Sequence, residues 1–128
     1  MKSVSISIDV PDIEAGVEFF TKGLGFAGPR RGPYDSVLLS VGRLQVCLLQ
    51  KDSGSIAVPG TNISRTYNRH WTPIHFDIEV DDLGKALEQA IEAGARQDGE
   101  IYSDENFSIA LCSDPFGNGF CLGEKHAK

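Results

Sequence analysis

One tryptophan, one methionine and three cysteines are all that the 128 residues contain of those types. So few cysteines, odd in number, exclude a disulfide framework and point to free thiols at Cys47, Cys112 and Cys121. No apolar run approaches the roughly 18 residues of a membrane helix. The opening Met-Lys-Ser-Val-Ser-Ile is too short for a secretory core, so a cytoplasmic protein is expected. Positive charge is also scarce: 12 Lys and Arg against 18 Asp and Glu give a net charge of −6, with a pI near 4.9. That balance argues against a nucleic-acid or anionic-membrane partner. What is present, 41% hydrophobic residues, suffices for the core of one domain, residues 1–128.

The charge is unevenly spread. Residues 1–72 carry a balance of +2 and residues 73–128 a balance of −8, which invites a search for two modules. Ser5-Ile-Ser-Ile-Asp-Val-Pro-Asp12 lies on His75-Phe-Asp-Ile-Glu-Val-Asp-Asp82 at an offset of 70, and Val46-Cys47-Leu48 on Phe120-Cys121-Leu122 at 74. A duplicated supersecondary unit explains this self-similarity.

Each copy reads the same way. Residues 3–10 alternate, with Val4, Ile6, Ile8 and Val10 on one face; Ile74, Phe76, Ile78 and Val80 repeat the pattern. Asp12 and Asp82 are N-caps. The helix after Asp12 has its stripe on Ile13, Val17, Phe20 and Leu24 and stops at Gly23 or Gly25; the one after Asp82 has Leu83, Leu87, Ala90 and Ile91 and stops at Gly94. Strand signals follow near 26–31, 36–41 and 44–50, then near 99–103, 107–113 and 119–124. The chain is therefore expected to be α+β, with β-α-β-β-β modules at 1–50 and 73–128. Residues 51–72, with Tyr67, His70 and Trp71, form a linker or lid between them. Lys125-His-Ala-Lys128 is expected to fray.

With Asp9-Val-Pro-Asp12, Glu18-Phe-Phe-Thr-Lys-Gly-Leu-Gly-Phe26, the second strand through Asp82, and Ser113-Asp-Pro-Phe-Gly-Asn-Gly-Phe120, the chain resembles the glyoxalase/bleomycin-resistance/extradiol-dioxygenase (vicinal oxygen chelate) superfamily. The resemblance implies two modules curling a mixed sheet around a cleft, and a homodimer. It also implies metal-ligand positions in the superfamily's metalloenzymes, which fall here on Ser5, Cys47, His75 and Cys121. Only His75 carries a usual ligand type, because those enzymes place His or Gln, Glu, His and Glu there. The expectation is therefore no metal and no cofactor; if a metal binds, His75, Cys47 and Cys121 are its ligands.

Strand alternation points the side chains of Ser5, Ser7, Asp9, Gln45, Cys47, Leu49, His75, Asp77, Glu79, Cys121 and Gly123 away from the helices. A small-molecule site is expected on Ser5, Ser7, Gln45, Cys47, His75, Asp77 and Cys121, with the acids suiting a cationic ligand. Two readings of function stay open. One is metal-independent binding of a small molecule, similar to the bleomycin-resistance type. The other is a lyase, isomerase or dioxygenase in which His75 is the catalytic residue, as metal ligand or general base.

Overall fold

A computed structural model describes residues 4–70 and 73–126. The chain folds as two compact units, one taking in residues up to Thr21 and Gly25–Tyr67, the other Lys22–Leu24 and the residues from Asn68 onward.

In the first unit, β1 (Ser5–Val10) leads to α1 (Ile13–Glu18), then β2 (Ala27–Arg31), β3 (Val37–Val41) and β4 (Leu44–Gln50). These strands form a sheet in the order β1-β4-β3-β2. Its first pair is parallel and the others antiparallel. The second unit repeats the plan with β5 (Phe76–Glu79), α2 (Leu83–Glu92), β6 (Arg96–Gln97), β7 (Tyr102–Ser103), β8 (Phe107–Ser113) and β9 (Gly119–Lys125). Here the order is β5-β9-β8-β6, with β7 also on β8 and β5 parallel to β9. The two β-α-β-β-β modules are thus both present. None of the described helices is long and apolar enough to cross a membrane.

The duplication extends to register and to capping. Ile6 pairs with Val46 and Ile8 with Leu48; Phe76 pairs with Phe120 and Ile78 with Leu122. Asp12 Oδ1 accepts from the backbone N–H of Glu14 and Ala15, and Asp82 Oδ1 from that of Lys85. A second cap comes from the last strand of each module: Gln50 Oε1 accepts from Ile13 N at 2.8 Å, and Glu124 Oε1 from Leu83 N at 2.7 Å. Each such bond satisfies an orphan donor at the helix start and is worth about 1 kcal/mol.

Where the structure departs from expectation, the local physics is visible. The first helix does not keep its α period. Phe19–Gly23 is a π-helical turn, closed by Phe26 N donating to Phe20 O at 2.9 Å and ended by Gly25 at φ +74°. The widened turn buries the adjacent Phe19 and Phe20 together, leaving Ile13, Val17 and Leu24 only half-buried. Phe20 stacks on Phe26 and meets Phe19 edge to face. Strand β5 begins at Phe76, so Ile74, at 82% exposure, is no part of the apolar face. Of the strand expected at 99–103 only Tyr102–Ser103 forms, as β7, and β6 at Arg96–Gln97 precedes it. Asp98 N donates to Leu111 O at 2.7 Å while Gly99 turns away at φ +124°. The tail is tied down as far as His126, whose N–H donates to Asn106 O and whose Nε2 lies 2.8 Å from Ser108 Oγ; 127 and 128 fall outside the described residues. Arg30 and Arg31 belong to the edge strand β2, and Arg31 pairs with Asp35 at 3.1 Å.

Asp114, in the Asp-Pro-Phe-Gly segment, builds the turn between β8 and β9. Its buried carboxylate accepts from Phe116 N, Asn118 N and Asn118 Nδ2 at 2.8–3.0 Å, and Gly117 supplies the positive φ of +94°. Burial pushes the Asp114 carboxyl pKa up, with the hydrogen bonds opposing it. Because the folded pKa is raised, this group stabilises the fold most below the unfolded carboxylate value, and that contribution falls as pH rises through the folded value. Denaturant titrations of wild type and Asp114→Asn from acid to neutral pH should therefore show a stability difference that shifts against the wild type as pH rises. A pH-independent difference would refute it.

Candidate functional site

In the second unit, the sheet face turned away from the buried Leu122 and Ala110 is built by alternation. Asp77 lies opposite Cys121 and Glu79 opposite Gly123; Gly123 lies opposite Ile109 and Lys125 opposite Phe107. Asp77, Ile78, Glu79, Phe107, Ile109, Cys121 and Gly123 line a pocket of about 410 Å³. Gly123 keeps its floor open, since a Cβ there would meet nothing nearer than Ser108 O at 3.9 Å. Carboxylates stand along one wall and Phe107 and Ile109 along the other. Such a surface suits an amphipathic guest.

Three polar side chains converge at one end. His75 Nε2 lies 3.3 Å from Asp77 Oδ1, and the donor atoms of His75, Asp77 and Cys121 all lie within 4.8 Å of one another. Burial, the negative charge of Asp77 and a hydrogen bond to its carboxylate push the Cys121 thiol up to about 11. A proton so held makes Cys121 a poor nucleophile at neutral pH. Burial pushes Cys112 up to about 11 as well. Iodoacetamide at neutral pH should therefore label the half-buried Cys47 first, with peptide mass spectrometry finding Cys112 and Cys121 unmodified until the protein unfolds. Early labelling of Cys121 would contradict this protonated state. Glu79 has no ion-pair partner among the described residues, so its charge stays available to the pocket.

The remaining expected site residues, Ser5, Ser7, Gln45 and Cys47, come together in the first unit, with Ser5 opposite Gln45 and Ser7 opposite Cys47. Gln45 Oε1 accepts from Arg30 at 3.4 Å. Asp9, the counterpart of Glu79 in the repeat, is occupied: Arg65 Nε donates to its Oδ2 at 2.8 Å. Arg65 also donates to Ser55 Oγ and Ile56 O, and Tyr67 OH donates to Lys51 O at 2.7 Å. These bonds fold the segment after β4 into a small hairpin bridged at Ile56 and Ser64. Within the second unit, Arg69 pairs with Asp98 and His70 N donates to Gly117 O; Trp71 lies outside the described residues. The duplicated acids have thus diverged, one spent on an internal ion pair and one facing a pocket.

Phe107, Ile109 and Arg65 escaped the sequence reading. Strand β8 carries Phe107, Ile109 and Leu111 on one face and Ala110 and Cys112 on the other, so polarity does not mark its faces. Arg65 lies 56 positions from Asp9, and no local pattern announces that pair.

The donors at the resemblance's metal positions do not match the ion that the superfamily's metalloenzymes hold. A hydroxyl at Ser5 and thiols at Cys47 and Cys121 replace the carboxylates and imidazole that suit such an ion. The donors that the second unit gathers are His75, Asp77 and Cys121. The donor types at the family's positions do not fit that ion, and no reaction step is derived through it.

A glyoxalase-like domain model matches residues 5–123, and the chain belongs to the glyoxalase-like domain family. Among solved structures it is similar to a glyoxalase/bleomycin resistance protein/dioxygenase family enzyme from Burkholderia phytofirmans, at 19% identity over 94% of this chain and 95% of that one, TM-score 0.68. A glyoxalase-related enzyme from Fulvimarina pelagi matches at 15% identity over 97% and 88%, TM-score 0.71. The fosfomycin resistance protein FosX from Listeria monocytogenes matches at 13% identity over 97% and 93%, TM-score 0.70. At these identities the likeness is one of fold. No curated protein sequence gives a significant match.

Proposed function

We propose that this glyoxalase-like protein binds a small, amphipathic, positively charged molecule directly in the pocket of its second unit, without a metal in the recognition. The observation that carries the reading is the pairing of Asp77 and Glu79 with Phe107 and Ile109 around about 410 Å³. Carboxylates attract the charged group, and the apolar wall takes the rest at about 25 cal/mol per Å² buried. The test uses berberine, a planar permanent cation whose fluorescence rises in apolar surroundings, against anionic anilinonaphthalene sulfonate. Saturable one-to-one binding of the cation with little binding of the anion is expected. Equal or stronger binding of the anion would overturn the reading. The resemblance adds a homodimer to the proposal; light scattering at micromolar concentration should give twice 13.9 kDa.

The contact between His75 and Asp77 favours a second reading, an enzyme of the lyase, isomerase or dioxygenase kind. A carboxylate 3.3 Å from Nε2 orients the imidazole as a proton acceptor. Turnover of any candidate substrate that survives His75→Ala would remove this reading.

A further inference from the structure

Strand β5 repeats β1 at an offset of 70, so Asp9 and Glu79 hold one place in the duplicated unit, and Ser7 and Asp77 another. In the first unit, alternation turns Ser7 and Asp9 away from the buried Ile8 and Val10. In the second, Asp77 and Glu79 line the pocket. Both copies thus keep an acid in one place and differ in what approaches it.

In the first unit the approaching cation belongs to the chain. Arg65 Nε donates to Asp9 Oδ2 at 2.8 Å, and its Nη1 donates to Ile56 O at 2.9 Å and Ser55 Oγ at 3.2 Å. The Arg65 side chain is 17% exposed, so these partners replace most of its water. Its backbone shapes the strap: Arg65 N donates to Ser55 O, and Gly54 N donates to Arg65 O. A guanidinium held by one carboxylate, one carbonyl and one hydroxyl has the surroundings of a bound guest. Leu49 stands opposite Asp9, where Gly123 stands opposite Glu79. The first site therefore has room for a head group alone, and the second for a head group with an apolar body.

The second unit offers more to a fork-shaped cation than to a compact one. Asp77 and Glu79 are two residues apart on one strand, about 7 Å along it. A planar guanidinium presents five N–H donors and can meet two carboxylates at once; a trimethylammonium presents none. Its flat face also stacks on an aromatic ring such as Phe107, which lines the same pocket.

We infer that Arg65 is a built-in guest filling the first unit's copy of the cation site, and that the second unit's pocket takes a guanidinium carried on an apolar body. The second half rests on the function proposed above. The first stands on the repeat and on the bonds of Arg65. Removing the Arg65 head group leaves a guanidinium-shaped place beside Asp9, which a free alkylguanidinium restores.

Ethylguanidinium chloride tests the first half on full-length Arg65→Ala. At millimolar concentration it should raise the Tm of that variant saturably and by more than the wild type's, while ethylammonium does not. Asp9→Asn combined with Arg65→Ala should remove the excess. Should Arg65→Ala unfold the chain, the same titration reads recovery of its circular dichroism. No excess or recovery, an equal effect of ethylammonium, or an effect that survives Asp9→Asn overturns the built-in guest. Calorimetric titration of the wild type with phenethylguanidinium and phenethyltrimethylammonium tests the second half. The guanidinium should bind one-to-one and at least about 10-fold tighter, and Asp77→Asn with Glu79→Gln should erase that preference. Equal affinities overturn the guest class and leave cation binding in place. Failure of both compounds and of berberine would defeat the proposed function, whereas rescue of Arg65→Ala by ethylguanidinium would still stand.

Discussion

Replacing Asp77 by Asn and Glu79 by Gln together is expected to weaken berberine binding by about 10- to 30-fold, or roughly 1.4–2 kcal/mol. Two full charges a few ångströms from a bound cation would contribute more in a dry interior. This pocket is partly wet, however, and Asp77 is 76% exposed, so solvent screens much of the attraction. The same screening gives the prediction a second signature. Wild-type affinity should fall as salt rises, because the Debye length shrinks from about 30 Å at 0.01 M to about 10 Å at 0.1 M. The double variant should be nearly insensitive to salt and should take up the anionic dye more readily. Neither substitution changes side-chain volume much, so the apolar contacts at Phe107 and Ile109 remain. Unchanged affinity with unchanged salt dependence would show that these carboxylates do not meet the guest.

Leu122→Ala is expected to cost about 2–5 kcal/mol, and Leu48→Ala a similar amount. The two leucines are counterparts in the repeat. Each sits in the strand parallel to its module's first strand, opposite Ile78 or Ile8, with 2% and 0% exposure respectively. Removing either side chain deletes three buried carbons and leaves a void that packed neighbours cannot fill by small shifts. Domains of this size are stable by only about 5–15 kcal/mol. Loss on that scale should lower Tm by roughly 8–20 °C. Calorimetry on both variants checks the magnitude. A cost below about 1 kcal/mol at either site would mean that its strand is not held as described.

Much of the architecture is legible along the chain because it rests on local periodicity. Ser5–Val10 and its copy at an offset of 70 alternate, and Asp12 and Asp82 mark the helix starts. Helix α1 shows where that reading stops. An α period places Phe20 and Leu24 in the core, whereas the π turn brings Phe19 inward with Phe20, a choice made by packing against the rest of the unit. The site was legible only on strands with a polar face. His75, Asp77 and Cys121 were named from alternation, but their convergence depends on the register of β5 on β9, which alternation cannot supply.

By itself the sequence determined two copies of a β-α-β-β-β unit, their helix caps, and the acidic character of the second half, all properties of residues close in the chain. Tertiary structure alone decided which acids do what. Asp9 and Glu79 are equivalent in the repeat, yet Arg65, distant in sequence, folds back to neutralise Asp9 while Glu79 keeps its charge beside an apolar wall. Charge tells how many carboxylates there are; only the fold brings the arginine that neutralises one of them.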